Sequence, residues 1–172
     1  MNKHRVALTV NDKAVSILVE PRQSLADALR GELGLMGTHL GCEHGVCGAC
    51  TIVVDGDAVR GCLMLAVQAE GSEVTTVEGA SPAVGLSEIQ AALREFHGLQ
   101  CGFCTPGMVM VLHHLFTENP SPSEDEIREA LSGQLCRCTG YQGIMNAAKA
   151  VSARHGRLND QPTQTPPDTT GI

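Results

Sequence analysis

The chain has 172 residues, a formal charge of −7 and 42% apolar residues, but only four aromatic side chains: Phe96, Phe103, Phe116 and Tyr141. No basic stripe exists to meet phosphates, which excludes nucleic acid as a partner, and no run approaches the roughly 18 apolar residues that would span a membrane. Small aliphatics shared between two compact halves make a marginal core, because small domains bury a low fraction of their surface.

In chain order, Val6–Val10 and Ala14–Val19 are β-rich runs broken at Asn11-Asp12-Lys13, a hairpin-like signal. Ser24 offers an N-cap for a helix from Leu25 to about Leu33, stopped by Gly34. A glycine-rich segment, Gly37–Gly48, carries Cys42 and Cys47, with Cys50 just beyond. Thr51–Val54 reads as a strand, Asp55-Gly56 as a tight turn and Val74–Val77 as a last strand. Strand, strand, helix and further strands suggest a small β-grasp sheet crossed by one helix.

From Glu78 to Gly85 the sequence reads as a linker, and beyond it the apolar period becomes helical. Ser87-x-x-Gln90 and Ser123-x-x-Glu126 have capping-box form. Pro106 suits the first turn of a helix that runs to Asn119-Pro120, and a last helix is expected from about Tyr141 to Arg154. The expected layout is an α+β chain. Residues 1–78 form the β-grasp unit, 79–85 the linker, 86–155 a four-helix bundle, and 156–172, rich in Pro, Thr and Gln, a flexible tail.

The eight cysteines fall into two groups of four. The first is Cys42-x4-Cys47-x2-Cys50-x11-Cys62, whose opening has the spacing by which plant-type ferredoxins hold a [2Fe–2S] cluster. Gly41, Gly45 and Gly48 interleave with these ligands, so the chain can curl and aim N–H groups at sulfur. The second is Cys101-x2-Cys104 with Cys136-x-Cys138, in the first and third connections of the helical half, where two loops can meet over one cluster. Four-cysteine zinc is the competing reading, above all for the second group. A Rieske centre is excluded: Cys42-Glu43-His44 has no matching Cys-x2-His, leaving His44 beside the site rather than in it. No apolar signal segment follows Met1-Asn2-Lys3-His4-Arg5, so a cytoplasmic location is expected, where paired cysteines bind metal or do redox work more often than they form disulfides.

Three segments together, Gly41-Cys-Glu-His-Gly-Val-Cys-Gly-Ala-Cys50, Gln100-Cys-Gly-Phe-Cys-Thr-Pro-Gly-Met108 and Leu135-Cys-Arg-Cys-Thr-Gly-Tyr141, resemble the small iron–sulfur subunit of molybdenum hydroxylases, the xanthine oxidase family. The resemblance implies a plant-type ferredoxin-like β-grasp domain followed by a four-helix-bundle domain, each with a [2Fe–2S] cluster. It implies electron relay from a molybdopterin centre through the cluster of Cys101, Cys104, Cys136 and Cys138, then that of Cys42, Cys47, Cys50 and Cys62, to FAD. By position Gln100 matches a glutamine that hydrogen-bonds the pterin, and Cys138 a ligand whose sulfur approaches the pterin amino group. The implied partners are a large molybdopterin-binding and a medium FAD-binding subunit in a dimer of heterotrimers. Bacterial enzymes of this type commonly carry molybdopterin cytosine dinucleotide. The holoenzyme's substrate would be an N-heterocycle, an aldehyde or an aromatic acyl-CoA. A free-standing two-cluster ferredoxin and a zinc-stabilised interaction module are the rival functions.

Overall fold

The computed structural model describes residues 3–159. Strands β1 (His4–Val10) and β2 (Lys13–Val19) form a full antiparallel hairpin from His4↔Val19 to Val10↔Lys13. Its turn has only two residues, Asn11 (φ 49°) and Asp12 (φ 63°), and Lys13 already belongs to the strand. Both positive φ values are what a tight hairpin matched to strand twist demands, and Asn and Asp tolerate them.

Helix α1 spans Leu25–Gly31, with Ser24 Oγ accepting from Asp27 N–H. It ends before the expected Leu33: Leu33 and Leu35 turn back to pack against the sheet core instead. Strands β3 (Thr51–Val54) and β4 (Asp57–Arg60) pair across Asp55-Gly56, and β5 (Glu73–Thr75) closes a sheet of order β2-β1-β5-β3-β4. Only the β1–β5 pairing is parallel. Strand β5 stops at Thr75, short of the expected Val77. Asn11 Oδ1 takes the next N–H, that of Thr76, at 2.9 Å, and its Nδ2 donates to Thr76 Oγ1. Alternating residues of β1 (Val6, Leu8, Val10) meet Ile52 and Val54 of β3 and Leu25, Ala28 and Leu29 of α1 in one core. A 3₁₀ turn, Ala66–Ala69, adds its two buried alanines.

The second half has α2 (Glu88–Glu95), α3 (Thr105–Glu118), α4 (Glu124–Ser132) and α5 (Gln142–Asn159). Ser87 with Gln90, and Ser123 with Glu126, make the reciprocal capping bonds expected of them. Leu93, Met108, Leu112, Ile127, Ile144 and Val151, contributed by all four helices, build a separate core. Helix α5 continues past Arg154 to Asn159, so residues 156–159 of the expected tail are helical; its remainder, 160–172, lies outside the described residues. Among the described residues no helix is long and apolar enough to cross a membrane.

Candidate metal centres

The first thiol group lies on the coil between α1 and β3 and on the turn after β4. Glu43 (φ 56°), Gly45 (φ 85°) and Gly48 (φ 78°) all take left-handed backbone there. Gly41 does not; it is small for a different reason, since a Cβ would stand 3.2 Å from both Cys47 Sγ and Phe103 Cε1. The curl turns Cys47 N–H onto Cys42 Sγ at 3.4 Å. Gly61 N–H donates to Cys50 O at 3.1 Å, which brings Cys62 beside Cys50 from a distant stretch of chain. His44 Nδ1 donates to Cys42 O, away from the sulfurs, in keeping with a residue beside the site.

The second group sits where the α2–α3 and α4–α5 connections meet. Cys138 Sγ donates to Cys101 Sγ at 3.5 Å, and Cys104 lies against Cys136. Thr139 Oγ1 is 3.1 Å from Cys136 Sγ. Tyr141 Oη accepts from Cys136 N–H at 2.8 Å and donates to Gln134 O at 2.9 Å, closing the ligand loop on itself.

The eight thiols meet in pairs: Cys42 with Cys47, Cys50 with Cys62, Cys101 with Cys138, Cys104 with Cys136. Two thiolates for each of two irons is the division a [2Fe–2S] cluster makes, whereas tetrahedral zinc draws four sulfurs to one centre. The donor set thus fits a binuclear cluster in each loop system.

Main-chain N–H groups of His44 and Cys47 draw the half-buried Cys42 down to about 6, while burial pushes Cys50 up to about 11. Burial pushes Cys104 up to about 12. Cys101 is lowered by the Phe103 main chain, and Cys138 is raised by the proton it shares with Cys101. Bound metal would hold all of them as thiolates.

Gln100 is exposed beside exposed Cys101 and Cys138. Phe103 fills no core: it is 48% exposed and stacks on His39 at 5.0 Å, with His39 Nδ1 donating to Phe103 O at 2.8 Å. It lies between the two loop systems, touching the Gly41 turn of the other. Arg137 points to solvent. Near the first loop Val46 is 58% exposed and Leu63, which abuts Gly45, is 60% exposed, while Ala49 is buried.

Known families match both halves. Residues 8–75 match a 2Fe-2S iron-sulfur cluster binding domain and residues 76–149 a second [2Fe-2S] binding domain. The gamma subunit of caffeine dehydrogenase from Pseudomonas sp. (strain CBB1) is 56% identical over 155 residues, 88% of this chain and 93% of that one. The chain belongs to the small iron–sulfur subunits of the xanthine-oxidase-type molybdenum hydroxylases. Within this family, the small subunit of nicotine 6-hydroxylase from Paenarthrobacter nicotinovorans is 49% identical over 154 residues, covering 90% of this chain and 93% of that one. A chain of quinoline 2-oxidoreductase from Pseudomonas putida 86 superposes with a TM-score of 0.86 at 51% identity, covering 91% and 98% of the two chains. Aldehyde oxidoreductase from Desulfovibrio gigas, with a TM-score of 0.84 and 34% identity, matches 92% of this chain within only 18% of its own.

Sequence reasoning missed Gln134, Arg60, Thr139 and His39, which touch the ligand loops. None carries a local signal: each acquires its role from a residue far away or from a loop whose path the spacing does not dictate.

Proposed function

We propose that this chain is the non-catalytic electron-transfer subunit of a cytoplasmic molybdenum hydroxylase. It relays electrons from a molybdopterin centre, through its two [2Fe–2S] clusters, to FAD. The reading is supported by the pairing of the thiols, Cys42 with Cys47, Cys50 with Cys62, Cys101 with Cys138 and Cys104 with Cys136, on loops that are joined where Leu135 N–H, next to Cys136, donates to Cys47 O at 2.9 Å. When bound, each cluster supplies a one-electron store between neighbouring redox groups.

The chain's own residues do the rest. Cys42, Cys47, Cys50 and Cys62 hold one cluster in a plant-type ferredoxin-like β-grasp domain over residues 1–78; Cys101, Cys104, Cys136 and Cys138 hold the other in a four-helix-bundle domain over 86–155. Left-handed Gly45 and Gly48 let the first loop present N–H groups to sulfur. Phe103 and His39 cover the ground between the two loops, and a drier site strengthens the local field that tunes potential. Gln100 and Cys138, exposed together, face the molybdopterin subunit, and exposed Val46 and Leu63 meet the FAD subunit. Those partners are separate large and medium polypeptides, the pterin is the cytosine dinucleotide, and the assembly is a dimer of heterotrimers. Caffeine, nicotine and quinoline, named in the relatives above, are all nitrogen heterocycles, which supports an N-heterocyclic substrate for the holoenzyme.

Affinity purification of the chain from its native host tests this. Two further chains are expected to accompany it, one binding molybdenum and one binding flavin. Recovery of the chain alone, loaded with iron and sulfide, would instead establish the free-standing ferredoxin.

A further inference from the structure

Gln134 is a polar side chain with only 2% of its surface exposed, and every hydrogen-bond partner of its amide belongs to the other half of the molecule. In the amide orientation that satisfies both ends, Nε2 donates to Gly48 O at 2.9 Å. Oε1 accepts from Arg60 Nη1 at 3.0 Å and lies 2.9 Å from Thr51 Oγ1. Arg60 Nη1 also donates to Thr51 Oγ1 at 2.6 Å, and its Nη2 reaches across to Gly133 O at 2.7 Å, at the C-terminus of α4. A cation there meets the negative end of the helix. Two glycines allow this closeness: a Cβ on Gly107 of α3 would stand 2.4 Å from Gly48 O, and one on Gly48 would stand 2.6 Å from Gly133 O.

We propose that Gln134, with Arg60 and Thr51, is a positioning unit that fixes the separation and orientation of the two thiol foursomes. The inference rests on reading those foursomes as cluster sites. The unit sits directly on both ligand loops. Gly48 lies between Cys47 and Cys50, while Gln134 is two residues before Cys136 and is tied to it through Tyr141 Oη. A buried amide must keep its partners, and all of these partners lie across the seam. Any sliding or rotation of one half against the other breaks the set together, so only one placement satisfies it.

The test is low-temperature EPR of the dithionite-reduced holoprotein, in which two nearby paramagnetic clusters split each other's signals with an inverse-cube dependence on separation. Gln134→Leu removes the amide. Gly107→Ala leaves α3 at least as helical, since alanine is the better helix former, yet forces a methyl group onto an immobile carbonyl. Both variants are expected to keep the two individual cluster signals and to lose the mutual splitting, whereas Glu129→Gln, on the exposed side of α4, keeps it. Native splitting in both variants would overturn the proposal. Absence of two cluster signals from the native protein would instead remove the functional reading beneath it.

Discussion

Cys62→Ser is expected to hold about two iron atoms where the parent chain holds about four, and to lose the plant-type EPR signal while keeping the other. Cys62 is the one thiol of its group that arrives from outside the Cys42–Cys50 loop, carried to Cys50 by the Gly61–Cys50 hydrogen bond. Serine occupies the same space, so the change removes a thiolate without disturbing the pairing of β3 and β4 that delivers it. The helical half has its own core and its own four thiols, and its cluster is expected to survive. Iron analysis with EPR of the reduced variant checks this. Loss of neither signal, or of the other one, would contradict the ligand grouping.

Gly48→Ala carries the largest expected cost in stability. Its φ of 78° is left-handed, which costs a residue with a Cβ roughly 1–2 kcal/mol. The methyl group would also stand 2.2 Å from the Gln134 amide and 2.6 Å from Gly133 O. Forcing a methyl into a filled site adds roughly 1–3 kcal/mol. A total of roughly 2–5 kcal/mol is a large part of the roughly 5–15 kcal/mol that holds an ordinary domain together. Thermal unfolding followed by visible absorbance should show cluster loss at a markedly lower temperature than in the parent. An unchanged midpoint would mean that the seam is looser than the hydrogen bonds across it imply.

Much of this was legible in the residues because it is local. The two capping boxes, the Asn11-Asp12 turn and the Asp55-Gly56 turn each depend on a few neighbouring positions, and each formed where its sequence put it. The cysteines stand out in the sequence because their spacing alone divides the eight into two sets of four. What escaped is non-local. Strand β4, Asp57–Arg60, is half-exposed and has no alternation of its own; it exists because β3 pairs with it. The 3₁₀ turn at Ala66–Ala69 owes its place to the burial of its two alanines in the sheet core, with Gln68 Oε1 accepting from Leu65 N–H at 2.8 Å. Helix α1 stops early because Leu33 and Leu35 gain more from the core than from another helical turn. The seam of Gln134, Thr51 and Arg60 joins positions up to 83 residues apart, beyond the reach of any periodicity.

Metal and sulfide analysis of the purified full chain, read with its visible spectrum, decides whether its eight thiols hold iron–sulfur clusters. A coloured protein with about four iron and about four acid-labile sulfide per chain, giving two distinct signals on reduction, is the expected result. A colourless chain carrying about two zinc ions in their place would contradict it.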